Sequence, residues 1–198
     1  MAFAQQYLDE LSSIISQLNL SIIEQMVSML SDLRNRKGRL FFLGIGGNAA
    51  NSSHAANDFR RFTKIEAWAA TDNIAEFSGW INDEEEGWNT VFKAWLKASN
   101  LEPKDMLFIL SVSGGNLEKN ISPNIVRAVE YAKTVGTQVI GIVGDKGGYT
   151  AQVADACVII PKVNEEMITP YTEALQPVIW HLLVRHPLLK INSTNDKR

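Results

Sequence analysis

The chain has one cysteine and three histidines among its 198 residues, and nowhere a run of the roughly 18 apolar residues that a membrane span needs. A single cysteine excludes an intrachain disulfide. Cys157 lies in the apolar run Cys157-Val158-Ile159-Ile160 and reads as a buried strand residue rather than a reactive thiol. A predominance of one charge is also lacking. With 19 basic against 22 acidic residues and a net charge of -3, the chain offers no broad field for nucleic acid or an anionic membrane, and neither is expected as a partner. The opening, Met1-Ala2-Phe3-Ala4-Gln5-Gln6, has no basic segment ahead of an apolar stretch, so a cytoplasmic location is the expectation. No internal repeat or low-complexity linker divides the chain. One domain over residues 1–191 is expected, with a helical arm over about 1–36, and only Asn192 to Arg198 reads as a disordered tail.

What is present is an alternation of helical and strand patterns. From Ala4 to Asn35 apolar residues recur every three or four positions, which predicts one long helix or two in sequence. Their apolar stripe needs a partner, in the chain's own domain or in another subunit. Five strands are predicted, at Arg39 to Leu43, Ile65 to Ala69, Met106 to Leu110, Gln138 to Val143 and Ala156 to Ile160. Between and after them fall helices at about Ala49 to Phe62, Asn73 to Gly79, Trp88 to Ser99, Ser122 to Val135, a short one before the fifth strand, and Thr169 to Arg185. Strands separated by helices give an α/β fold, with a parallel sheet covered on both faces. The five tryptophans, Trp68, Trp80, Trp88, Trp95 and Trp180, are expected in the core or an interface, His186 at the end of the last helix, and Glu84-Glu85-Glu86 in a solvated turn.

Two glycine-rich loops end strands. The loop Ser111-Val112-Ser113-Gly114-Gly115-Asn116 offers hydroxyls, close backbone approach and a following helix start, which suits a phosphate; the bland alternative is an ordinary Ser/Gly turn. With no Walker lysine, a small monophosphate fits better than a nucleoside triphosphate. Gly44-Ile45-Gly46-Gly47 lacks the third glycine of a dinucleotide fingerprint, and no acidic residue ends the second strand, which disfavours NAD. Just after this loop His54 and Asp58 stand four apart, on one helix face. Glu173 and His181 form a second carboxylate and imidazole pair, and together the four are the best candidates for a site holding zinc or a similar divalent ion. A plain helix-surface pair is the alternative for each. Eight residues of helix span about 12 Å, so Glu173 and His181 must lean together or the ligands must come from two subunits.

The order Gly44-Ile45-Gly46-Gly47, His54-x3-Asp58, Asn82-Asp83, Ser111-Val112-Ser113-Gly114 and Glu173-x7-His181 resembles the sugar isomerase (SIS) fold, and within it most closely the sedoheptulose-7-phosphate isomerases, or phosphoheptose isomerases. The likeness covers nearly the whole chain. It implies a three-layer, flavodoxin-like SIS fold with a five-stranded parallel sheet, a homotetramer with active sites between subunits, and a phosphorylated sugar as substrate. It further implies one zinc ion on His54, Asp58, Glu173 and His181. Substrate contacts would come from Ile45, Gly46 and Gly47, from Asn82 and Asp83, from Ser111, Val112, Ser113 and Asn116, and from Glu173. Ketose-to-aldose conversion would run through an enediol, with Asp58 as base and His181 as acid.

Four positions depart from that family's pattern. Asp58 stands where these isomerases carry glutamate, Glu173 where they carry glutamine, Asn48 where a serine usually follows the last glycine, and Asn116 where a serine is usual. A carboxylate one methylene short is displaced by about 1 Å, a shift worth on the order of 100-fold in rate. The extra carboxylate adds negative charge for a cation. The rival expectation is a non-catalytic SIS module, one that senses a phosphosugar or binds a protein partner, as some members of the fold do.

Overall fold

The computed structural model describes residues 2–85 and 87–191. The expected tail, Asn192 to Arg198, and Glu86 lie outside the described residues. Five strands, β1 (Arg39–Leu43), β2 (Glu66–Ala69), β3 (Met106–Ser111), β4 (Gln138–Gly144) and β5 (Ala156–Ile160), form one sheet in the order β2-β1-β3-β4-β5, every neighbouring pair parallel. Among the described residues the α-helices are α1 (Phe3–Ser16), α2 (Leu20–Asn35), α3 (Gly47–Thr63), α4 (Ile74–Asp83), α5 (Val91–Ala98), α6 (Pro123–Val135), α7 (Gly148–Val153) and α8 (Ile168–Arg185).

The central strand carries the architecture in its own sequence. All six residues of β3 are buried, and they alternate between two cores as a strand's period of two requires. Met106, Phe108 and Leu110 join α2, α3 and α8 on one face, with Met26, Leu30, Phe59 and Trp180. Leu107 and Ile109 join α5 and α6 on the other, with Phe92, Trp95, Ile125 and Val129. The result is the three-layer arrangement expected from the strand and helix alternation.

The amino-terminal pattern resolves into two helices. Asn19 caps α2, its side-chain oxygen accepting from the amides of Ser21 and Ile22 at 3.1 and 3.3 Å, which gives the second helix its own start. Helix α2 buries Ile23, Met26, Val27, Leu30 and Leu33, whereas α1 buries Ile14 alone and leaves Phe3 71% and Leu8 61% exposed. A polar clasp holds α1 down. The Glu10 carboxylate accepts from the Tyr171 hydroxyl at 2.6 Å and from Asn164 Nδ2 at 3.1 Å, with the rings of Tyr7 and Tyr171 4.8 Å apart. The Tyr171 and Gln6 donors hold the Glu10 carboxyl below its usual value, and burial together with Glu10 pushes the Tyr171 hydroxyl up to about 12. A lowered carboxyl stabilises the fold fully above the ordinary value and ceases to do so as the pH falls through the lowered one. Glu10→Gln is therefore expected to lower the urea midpoint at neutral pH and to converge with the native chain in acid. A gap that stayed constant with pH would exclude this role.

Boundaries move where packing outweighs local pattern. Helix α4 runs on past Gly79 to Asp83, and the helix expected from Trp88 splits into a 3-10 turn, Gly87–Asn89, and α5. Trp95 and Trp180 are core residues, but Trp68 and Trp88 are 43% and 41% exposed in this chain. Cys157 is half-buried, and loss of solvent pushes its thiol up to about 12, which disfavours the thiolate. His186 ends α8 as expected, its Nδ1 accepting from the Leu188 amide at 3.2 Å.

Candidate active site

The strand order reverses between β1 and β3: the chain leaves β1 for β2 on one side, and continues from β3 to β4 and β5 on the other. In open α/β sheets ligands bind at the carboxyl ends of the strands flanking such a point. Both loops singled out from the sequence stand there. Gly46, at φ 61° and ψ -124°, adopts a conformation open only to glycine and starts α3 directly from β1. At the end of β3, Ser111 Oγ accepts from the Gly114 amide at 3.1 Å, and just beyond it Ser113 Oγ accepts from the Gly115 amide at 3.2 Å, which leaves each hydroxyl proton free to donate to an anion.

The second loop is stapled to the start of α7. Gly114 O accepts from the Thr150 amide at 2.9 Å and from Thr150 Oγ1 at 2.8 Å, and Gly115 O from the Tyr149 amide at 2.8 Å. A Cβ on Gly114 would stand 1.9 Å from Gly147 O, a backbone atom that cannot yield, and the φ of +69° is itself strained for an L side chain. Gly114→Ala is expected to destabilise the protein by about 1–3 kcal/mol and to weaken binding of the phosphate end of a substrate. Chemical denaturation and phosphate-competition titrations measure the two effects, and a native-like variant would show that the loop is looser than its contacts indicate.

The other predicted contacts are placed less alike. Asn116 pairs its backbone with Ile121 in a tight antiparallel turn, while its Oδ1 accepts from the Lys119 amide at 2.8 Å. Asn82 and Asp83 are the exposed last residues of α4 and bond to each other at 2.8 Å. Among the described residues neither of these two side chains is hydrogen-bonded to either loop.

Helices α3 and α8 lie side by side and run the same way, and this brings His181 to His54 and Asp58 within one chain. Asp58 Oδ2 is 3.5 Å from His54 Nε2 and 3.2 Å from His181 Nε2. The three ligand atoms lie within 4.8 Å of one another. The carboxylate is buried, at 8% side-chain exposure, and the two imidazoles are open, at 57% and 48%. Fully buried Trp180 backs the cluster, its ring 5.4 Å from that of His54 and 5.3 Å from that of His181. Ligands roughly 2.1 Å from a tetrahedral ion stand roughly 3.4 Å apart, so the two Asp58 separations suit such an ion.

Glu173 is not in this cluster. Its Oε1 accepts from Asn48 Nδ2 at 3.1 Å, beside the loop that follows β1. Asn48 Oδ1 accepts in turn from Gln176 Nε2 at 2.6 Å, and Gln176 Oε1 from Asn51 Nδ2 at 2.8 Å. Gln176 and Asn51 escaped the sequence reading. Their signal was a polar stripe, Asn48, Asn51 and Ser52 on one helix and Glu173 and Gln176 on the other, at the three- and four-residue spacing that otherwise marks a buried face.

Comparison with known proteins identifies the family. The SIS domain family model matches residues 3–144. The phosphoheptose isomerase of Rhodospirillum rubrum is 32% identical over 151 residues, covering 74% of this chain and 73% of its own length. The lincomycin biosynthesis protein LmbN of Streptomyces lincolnensis is 32% identical over 166 residues, 81% of this chain, which spans only 58% of that relative. In structure, phosphoheptose isomerase GmhA from Neisseria gonorrhoeae superposes with a TM-score of 0.79 at 21% identity, over 91% of this chain and 95% of that one. The chain belongs to the SIS domain family and, within it, to the phosphoheptose isomerases.

Proposed function

We propose that this protein is an aldose-ketose isomerase that converts sedoheptulose 7-phosphate to a glycero-manno-heptose 7-phosphate. The observation that carries the reading is the buried Asp58 carboxylate held between two open imidazoles, on a sheet whose switch point presents a hydroxyl-lined phosphate loop. Asp58 takes a proton from C1 of the ketose while His181 steadies or protonates O2, giving the enediol. Return of that proton to C2, with loss of the O1 proton, gives the aldehyde. Ser111 and Ser113 hold the phosphate, and the backbone of Ile45, Gly46 and Gly47 approaches the sugar. Zinc is the ion assigned to His54, Asp58 and His181; bound there, it would polarise the carbonyl and hold charge on the developing oxyanion.

The active form we assign is a homotetramer, with each site shared between subunits. Asp58 lies about 16 Å along α3 from Gly47 at the crevice. Val178 and Leu182, beside His181, are 48% and 42% exposed, an apolar border that a second copy would cover. No helix among the described residues is long and apolar enough to cross a membrane, and a charged sugar phosphate is retained in the cytoplasm, where we place the enzyme.

Incubation of sedoheptulose 7-phosphate with the zinc-loaded protein, followed by NMR, is expected to show the aldose anomeric signals growing in. Their absence with folded, zinc-bound protein would overturn the reading in favour of a phosphosugar sensor.

A further inference from the structure

We propose that residues 116–121 form a lid on the phosphate loop, and that Lys119 at its tip brings a positive charge to the bound phosphate. The inference deepens the isomerase reading and rests on it for the identity of the substrate.

A phosphate monoester carries a charge of about -1.5 to -2 at neutral pH. The cradle built by the second loop is neutral. Ser111 and Ser113 offer hydroxyls, and α6 starts without a side-chain cap, which leaves its first amides open. None of the substrate contacts that the family resemblance implies is a cation. Lys119 lies on the segment that joins the two walls of this cradle, between Ser113 and the start of α6. The ends of that segment meet, since a Cβ on Gly115 would stand 3.4 Å from Ser122 O. Asn116 and Ile121 exchange backbone hydrogen bonds at 2.7 and 2.8 Å, and the Asn120 amide donates to Leu117 O at 3.1 Å, which places Glu118 and Lys119 at the tip.

The turn is firm within and loosely attached. Asn116 Oδ1 accepts from the Lys119 amide at 2.8 Å, so the hydrogen bonds of the segment close inside it. Residues 117 to 121 are all exposed, and a cavity of about 370 Å³ separates Leu117 and Glu118 from Tyr149 and Gln152 of α7. The turn therefore has room to swing as a unit. Its base has the matching backbone: Gly115 stands at φ 85° on one side, Asn120 and Ser122 at φ 51° and 45° on the other. A serine in the left-handed region is strained, and such strain collects at clamps and switches. Next to it, fully buried Asn124 keeps an Nδ2 donor with no hydrogen-bond partner, a second sign of strain at this hinge. Among the described residues the Lys119 ammonium has no ion-pair partner. Closure about the base carries it on its flexible stem to the anion, where it forms a charge-assisted hydrogen bond and the turn excludes water.

Calorimetric titration of the full chain with inorganic phosphate tests the charge, and hydrogen exchange tests the motion. Lys119→Met is expected to weaken phosphate binding about 5- to 20-fold and to raise KM for sedoheptulose 7-phosphate by a similar factor, with a smaller change in kcat. Lys119→Arg should recover most of the loss. Glu118→Gln alters the same tip without removing the cation and should bind phosphate at least as tightly as the native chain. Exchange at residues 117–121 should slow when the native chain is saturated with phosphate, and slow less in Lys119→Met. Native phosphate affinity in Lys119→Met, an equal loss in Glu118→Gln, no phosphate binding by the native chain, or exchange in the turn that ignores phosphate would each overturn the proposal. Should the native protein bind but not turn over the sugar, the isomerase reading fails by itself. The phosphate titrations and the exchange measurement then still decide the lid.

Discussion

Asp58→Asn is expected to lower kcat by about 10²- to 10⁴-fold with the fold intact. The substitution preserves shape and removes only the ability to take a proton and carry charge. Asp58 is buried, with one oxygen 3.2 Å from His181 Nε2 and 3.5 Å from His54 Nε2, so the cluster loses its only carboxylate. Zinc affinity should fall with it, because a neutral amide is a far weaker ligand than a carboxylate. Circular dichroism and a thermal scan report the fold, NMR the turnover and calorimetry the ion. Activity within about 10-fold of native would remove Asp58 as the base. Asp58→Glu, which restores the longer side chain that the family resemblance leads one to expect, tests whether the missing methylene costs rate.

Trp180→Ala is expected to cost about 3–5 kcal/mol of stability. Trp180 is fully buried in the core that joins α8 to the sheet, and its ring stands edge-on to both imidazoles at 5.3 to 5.4 Å. For a chain of this size that loss corresponds to a fall in Tm of about 6–20 °C. Removing the ring also takes away the wall that orients His54 and His181, so zinc affinity should drop even where the protein is still folded. Trp180→Phe fills part of the volume and should recover most of both. A loss below about 1 kcal/mol would mean that α3 and α8 collapse into the gap, in which case the imidazole spacing, not the ring, is the quantity to measure.

The parts of this protein that were legible in the sequence are those fixed by short-range periodicity. An unbroken apolar strand such as Met106 to Leu110 can only lie in the centre of a covered parallel sheet, and the serine and glycine loop that follows it declares its chemistry by composition. His54 and Asp58 were paired correctly because four residues of helix bring two side chains onto one face. The break between α1 and α2 was legible in retrospect, since Asn19 precedes the second apolar run as a cap should. The turn from Asn116 to Ile121 was not, because its closing contact is an antiparallel bridge between backbones, with no apolar pattern behind it.

The sequence by itself determined the layer order, the two loops at the switch point and two of the three residues of the His54, Asp58 and His181 cluster. Each depends on neighbours within about one helical turn or one strand, where covalent geometry sets which side chains meet. Only the tertiary structure decided which residue of α8 completes the cluster. Helices α3 and α8 are more than a hundred residues apart in the chain, and their relative register depends on how Phe59, Leu175, Ile179 and Trp180 pack over the sheet. That register delivers His181 to Asp58 and leaves Glu173 on Asn48 at the mouth of the first loop.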